Sequence, residues 1–521
     1  MGPIEDNEVK KRLIFAFALM AMGLNGMAQD MAPQGVQGLR RGLSPNDYGL
    51  REAQNGTDRY RALLKTHKEA VRLGFDVDYT GIDTLRIEIP EGAESIPLTP
   101  RNDFRGLTLI VTNNVKNFFL FGYVGKTHEV AVEKALIDGG DFGSIDALAR
   151  GSKVLIVNDQ NPWVANRIGY NSAAYRKDLL VLNNGVAQNS VTASYATPAS
   201  DPKCVYFDFH ADTLTFKNLT FLRTEGCANK TYLVSVKNRN NVLIDNIAVA
   251  TPKSKLLADA VISVTNAANV TISNTTVDGT YSAAGRADGY GYAFSLNNLW
   301  NSRFVNVTAH GNWGVFGTNC LSATELDSCD INRFDIHCYG KDVVCRNCSF
   351  RNKQTQFGSF YGTLRFENCL FDDCLPIRVR GSYNAYTPFD IELADCTFRA
   401  TARYHALINI QYKQTEPNSR PELKERCWPN VKISNLRVEL PPLVRRVVLF
   451  DPTGETSVCK EAVGYMSEVT VDGLEVYRNG REANCEFVLS SVKVTTKKPF
   501  WLERKNEQGK NRWTENIVSG I

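Results

Sequence analysis

Ten stretches of the chain repeat one nine-residue pattern: an alternating apolar–polar run, an Asn or a substitute, then a second short alternating run. They are TLTFKNLTF (213–221), NVLIDNIAV (241–249), NVTISNTTV (269–277), NSRFVNVTA (301–309), ATELDSCDI (323–331), DVVCRNCSF (342–350), TLRFENCLF (363–371), DIELADCTF (390–398), NVKISNLRV (430–438) and EVTVDGLEV (468–476). Alternation with a period of two marks strands. Two strands that meet at a sharp bend need one residue in the left-handed region, where Asn and Gly are tolerated. Asn218, Asn246, Asn274, Asn306, Asn347, Asn368 and Asn435 occupy that place, with Ser328, Asp395 and Gly473 as substitutes. The position after the bend runs from Leu219 to Leu474 at an average interval of about 28 residues, a solenoid period rather than a hairpin spacing. An antiparallel sandwich would call for Asn-Gly or Asp-Gly hairpins between the strands, and these bends lack them.

Strand–bend–strand units with this Asn resemble the right-handed parallel β-helix of the pectin-lyase-like superfamily. The resemblance implies an all-β fold of about ten or more turns and a substrate groove along one strand face. The expected organisation is a signal peptide over 1–28, a lead-in and capping helix over 29–80, a β-helix over 81–480 and a charged tail over 481–521. The helix is read from Tyr60, Leu63, Leu64, Ala70 and Leu73 in DRYRALLKTHKEAVRLG (58–74), and it would cover the open end of the solenoid. No independent second domain is expected. Cys329, Cys348, Cys369 and Cys396 fall in one inward column, and parallel side-chain vectors there favour buried free thiols over disulfides. A metal site is disfavoured because no CxxC pair has a partner at ligand spacing.

Lys10, Lys11 and Arg12 precede an apolar run that ends in Gly26-Met27-Ala28, the form of an export signal. The run is too short for a membrane span. The expected location is therefore periplasmic or secreted, with no membrane partner. Sixty basic against 56 acidic residues give a net charge of +4, too balanced to point to nucleic acid.

Four segments share a closing Gly: WGVFG (313–317), IHCYG (336–340), GSFYG (358–362) and IRVRG (377–381). Aligned on it, they point Val315, Cys338, Phe360 and Val379 inward. His337, Ser359 and Arg378 then face outward in one column, and Tyr339, Tyr361 and Arg380 in the other. Tyr292 joins from the preceding turn. His310, Trp313, Arg333, Asp335 and Tyr383 are expected in flanking loops as substrate-binding groups, since aromatic rings suit the apolar faces of sugars.

This set suits β-elimination on a uronate glycan, which needs a cation for the carboxylate, a base for the C5 proton and an acid for the leaving oxygen. Arg378 and Arg380 are the expected anion ligands, His337 the base, and Tyr339 or Tyr361 the acid. The expected substrate is an acidic polysaccharide, leaning to a sulfated glycosaminoglycan such as chondroitin or dermatan sulfate. No cofactor is required, and calcium is compatible but unsupported. Hydrolysis would want two carboxylates across the scissile bond. Of Asp288, Asp330, Asp335, Asp372 and Asp373, none forms an outward pair on adjacent turns of that face. Glycan binding without catalysis is the third reading.

Overall fold

The computed structural model describes residues 42–521 except 114, 116–117, 161–174, 197–199, 225–230, 251–260, 279–291, 311–313, 352–353, 381–388, 413–428, 455–460, 465–468, 484, 491–492, 497–501, 506–510, 515–516 and 520–521. The expected signal peptide lies outside the described residues, and no described helix is long and apolar enough to cross a membrane.

Successive strands pair in parallel with the strand one turn later, in a sheet of 29 strands among the described residues that winds into the expected parallel β-helix. Every bend residue read from the repeat has positive φ, from Asn274 at 46° to Gly473 at 79°. Side chains at the bends bond along the axis. Asn246 Nδ2 donates to Asn218 Oδ1 at 2.8 Å, Asn306 to Asn274 at 2.9 Å and Asn368 to Asn347 at 2.8 Å. Where Asp245, Asp327 or Asp395 stands nearby, its carboxylate takes the Asn donor instead. Two further ladders escaped the repeat reading: Asn238, Asn266 and Asn298 form one, and Asn241, Asn269 and Asn301 the other, all at positive φ.

Inward side chains stack by register. Phe216, Ile244, Ile272, Phe304, Leu326, Cys345, Phe366, Leu393, Ile433 and Val471 form one buried column through ten rungs. The thiols of Cys329, Cys348, Cys369 and Cys396 are buried and free. Each donates to the carbonyl two residues back, at 3.1–3.4 Å, just as the Thr275 hydroxyl does at 2.8 Å. The column thus satisfies a backbone acceptor at each bend as well as filling the core.

The helix Gly56–Leu73 caps one end, with Asn55 Oδ1 accepting from the Asp58 amide at 2.9 Å and Gly74 closing it at φ 67°. It buries Tyr60, Leu63 and Ala70 against the first rungs. Its His67 is wholly buried, with Nδ1 2.9 Å from the Pro97 carbonyl and Nε2 2.7 Å from the Tyr79 hydroxyl.

Two expectations are corrected. An antiparallel sheet is inserted into the β-helix, built from His128–Val130, Ser152–Asp159, Lys177–Asn183, Val186–Ala187 and Pro202–Asp208. One face has a core of its own around Phe142, Leu155, Leu180 and Tyr195. The other packs Val154, Ile156, Leu179 and Phe207 on Ala268 and Trp300 of the β-helix. Secondly, parallel pairing continues past 480, through Leu502–Lys505 and Asn511–Thr514, so that segment extends the solenoid instead of forming an irregular tail.

At the bends, Asn306→Ala should cost about 2 kcal/mol, from left-handed strain plus a lost hydrogen bond, and Asn306→Gly about 1 kcal/mol, read as shifts in the urea midpoint. Equal losses would remove the conformational part of the explanation. At the cap, burial lowers the His67 pKa from 6.5 to about 4, so the unfolded chain binds a proton that the folded chain refuses. The stability His67 contributes is complete above about pH 6.5 and is lost as the pH falls toward 4, on the order of 3 kcal/mol. His67→Gln should flatten that part of the pH profile of urea unfolding.

Candidate functional site

The third strands of successive turns bring the polar residues together. Their register pairs Ser235 with Ser263 and Ser263 with Ser295, then Asp335 with Gln356, Gln356 with Arg378, Arg378 with Asn409 and Asn409 with Asp451. Along one face a plain row of serines gives way to a charged row. The closing-Gly alignment does not describe this face. It sets Ile336 beside position 313, whereas the ladder sets it beside Thr318; it matches Gly358 with Ile336, whereas Phe357 holds that place. Both offsets are odd, and an odd slip exchanges the two faces of a strand.

Asp335 is the centre of the cluster and is wholly buried, not the loop contact expected. Its Oδ2 receives Arg333 Nη2 and lies 3.1 Å from His337 Nε2, while its Oδ1 lies 3.3 Å from Arg380 Nη1. Burial raises its pKa, but His337, Arg333 and Arg380 together outweigh burial and hold the carboxyl well below the ordinary range. Arg333 and Arg380 are themselves 3% and 4% exposed, and both guanidinium groups are turned to the Asp335 carboxylate, not to the open face where they were expected to meet substrate. With its amide oxygen turned toward Arg333, Gln356 accepts from Nε at 3.3 Å.

His337 keeps a partly exposed ring, with 18% of the side chain open. The Tyr292 hydroxyl lies 3.3 Å from its Nε2, and the rings meet edge to face at 6.1 Å. A carboxylate on Nε2 favours the tautomer with the proton there, which leaves the basic lone pair on Nδ1. Two rungs along, half-buried Arg378 donates from Nε to Asn409 Oδ1 at 3.1 Å. Burial, then the positive charges of Arg380 and Arg333, lower its pKa, the mark of a guanidinium in a positive surrounding.

Other expected members fall elsewhere. Tyr339 is 1% exposed at φ 63°, in a turn between rungs, and burial raises its phenol pKa further from use as an acid or base. The inserted sheet reaches this turn, where Lys341 Nζ bonds Ser190 Oγ at 2.9 Å and the Val191 carbonyl at 3.0 Å. Tyr361 is half-buried and opens the next turn's first strand beside Lys341, off the third-strand face. His310 sits on a second strand, its Nε2 3.3 Å from Asp330 Oδ2. Trp313 and Tyr383 lie outside the described residues. Gln356 and Asn409 were missed. Both lie on short strands whose register follows from the pairing and not from a motif.

Carboxylates of the neighbouring faces are tied into ion-pair ladders. Asp330 and Asp372 both hold Arg351 at 2.8 Å, and Glu325 and Glu367 flank Arg346, with the Arg346–Glu367 contact at 2.7 Å. Among the described residues no three His, Cys, Asp or Glu side chains converge as metal ligands. Asp335→Asn should lower the urea midpoint by the equivalent of about 3 kcal/mol, because Arg333 and Arg380 would stay buried without their counter-charge. The same change at exposed Asp373 should leave it nearly unmoved.

No protein-family model matches the chain, and no curated protein matches its sequence. Solved structures do. The tailspike protein gp49 from Pseudomonas phage LKA1 is 12% identical over 87% of this chain and 82% of its own, with a TM-score of 0.47. The Gp54 tailspike of Acinetobacter baumannii bacteriophage AP22, solved with a capsular saccharide, is 9% identical over 91% and 79%, at 0.45. The A-module of the Azotobacter vinelandii mannuronan C-5 epimerase AlgE4 is 8% identical over 89% and 100%, at 0.31. The likeness is one of architecture alone.

Proposed function

We propose that this parallel β-helix protein is an exported polysaccharide lyase that cleaves an acidic, uronate-containing glycan by β-elimination. The observation that carries the reading is the partly exposed His337 ring, anchored by buried Asp335 and touching the Tyr292 hydroxyl. His337 Nδ1 takes the C5 proton, the C–H electrons form the C4–C5 double bond, and the C4–O bond breaks. The Tyr292 phenol gives its proton to the leaving oxygen and regains one from His337 Nε2 across the 3.3 Å contact. Asp335 stabilises the imidazolium between the two transfers, as a buried carboxylate does behind other catalytic histidines. Arg378 takes the uronate carboxylate, whose neutralisation makes the C5 proton removable.

Relative to the sequence-based assignment, the acid moves from Tyr339 or Tyr361 to Tyr292. Arg380 and Arg333 move from substrate to scaffold. Three guanidinium groups against one carboxylate still leave the cluster net positive, which supports an acidic substrate and, within that class, a sulfated glycosaminoglycan such as chondroitin or dermatan sulfate. The reaction as written draws on side chains alone. Hydrolysis is the weaker reading. Asp335 is buried and held ionised, and Asp330 and Asp372 share an arginine, whereas hydrolysis needs a carboxyl kept protonated near neutral pH.

Incubation with glycosaminoglycans and polyuronates should produce the ultraviolet absorbance of an unsaturated uronate. New reducing ends without that absorbance would mean hydrolysis. His337→Ala should lower kcat by roughly 100-fold or more, and Tyr292→Phe should also lower it, with the unfolding midpoint of the Tyr292 variant unchanged. Full activity in both variants would dismiss the site.

A further inference from the structure

Beyond Arg378 the same face opens into a cleft of about 260 Å³ that the elimination chemistry leaves unused. Its walls include Arg378, Arg403, Tyr404, His405, Asn409 and Asp451. Asn409 and Asp451 belong to the next two rungs of the row that starts at Asp335, so the cleft continues the site along the axis. Successive rungs lie about 4.8 Å apart, and an extended polymer laid on the face advances in the same direction.

The donors in this cleft are in place but largely uncommitted. Arg378 spends Nε on Asn409, and its two terminal nitrogens bond no described residue. The Arg403 guanidinium stands 5.0 Å from the centre of the Tyr404 ring, which holds it at the rim by its π face without using a donor. The side chains of Arg403 and His405 make no hydrogen bond among the described residues. Opposing them is one carboxylate, Asp451, which already accepts from Asn409 Nδ2 at 3.4 Å. With Arg378 taking the reacting uronate, the Arg403 fork and the His405 imidazole remain facing one engaged carboxylate, and they match a group with several anionic oxygens. The volume falls below the roughly 300 Å³ at which pockets for drug-sized ligands begin, so it suits the charged substituent of one ring and not a long segment.

We infer that the cleft between Arg378 and the Arg403–His405 segment is an anion subsite, holding a carboxylate or sulfate of a glycan unit that lies beyond the one facing His337. This rests on the reading of the His337 site as an acidic-glycan site, and it adds Arg403 and His405 as recognition residues. Affinity electrophoresis of the full chain carrying His337→Ala, which leaves the polymer intact, would use chondroitin sulfate, hyaluronan and neutral dextran as probes. Adding Arg403→Gln with His405→Gln should weaken binding of the anionic polymers about tenfold and reduce its salt dependence. Arg61→Gln, the same charge change on the capping helix, should leave binding unaltered. Weakening for chondroitin sulfate alone assigns the cleft to sulfate, and weakening for both assigns it to carboxylate. Unaltered binding in the Arg403/His405 variant, or a parent that binds neither anionic polymer, would overturn the inference. The two readings separate cleanly. Binding that depends on Arg403 with no unsaturated product from the wild type keeps the subsite and removes the lyase. Elimination whose KM ignores Arg403 does the reverse.

Discussion

The left-handed bend is the constraint on which the structure rests. A parallel strand can turn a corner within one residue only if that residue tolerates positive φ, and Asn adds a side chain that bonds to its copy on the next turn. Once the bends stack, the strands must run in parallel register and the residue after each bend must point inward. That inward column is the one filled by Leu219, the four cysteines and Leu474, with Thr275 using the same geometry to bond the bend carbonyl. These four cysteines thus fill the column and bond the bend backbone as Thr275 does.

Asp335 plays the corresponding role at the site. A wholly buried carboxylate persists only where opposite charge and hydrogen bonds surround it, and here Arg333, Arg380 and His337 converge on it. The Asp335 contact orients the imidazole and favours its proton on the nitrogen beside the carboxylate. Arg378 escapes the carboxylate because it sits two rungs away and is steadied by neutral Asn409. Buried arginines make the scaffold, and the one held only by an amide remains open to a ligand.

Fold and cap were legible from the repeat because each rests on local chemistry: an Asn at a bend, alternation in a strand, an amphipathic turn over 58–74. The inserted sheet also left a signal. DLLVLN and Val186-Ala187 flank Asn184-Gly185, both at positive φ, which is the hairpin dipeptide absent from the β-helix bends. At the site the residue types were legible and their directions were not. His337, Tyr292 and Arg378 keep partly exposed side chains, whereas Tyr339, Arg333, Arg380 and Asp335 are buried.

The reason is a difference in what each feature depends on. The sequence by itself determined the solenoid, its period, the bend residues and the thiol column, since conformational preference at one position is enforced there whatever lies elsewhere. Only the tertiary structure decided which polar groups of the third strands meet across neighbouring turns and which of them are covered. Loops of unequal length precede those strands, an offset of one residue reverses every side chain, and the register is set by hydrogen bonds to the neighbouring turn.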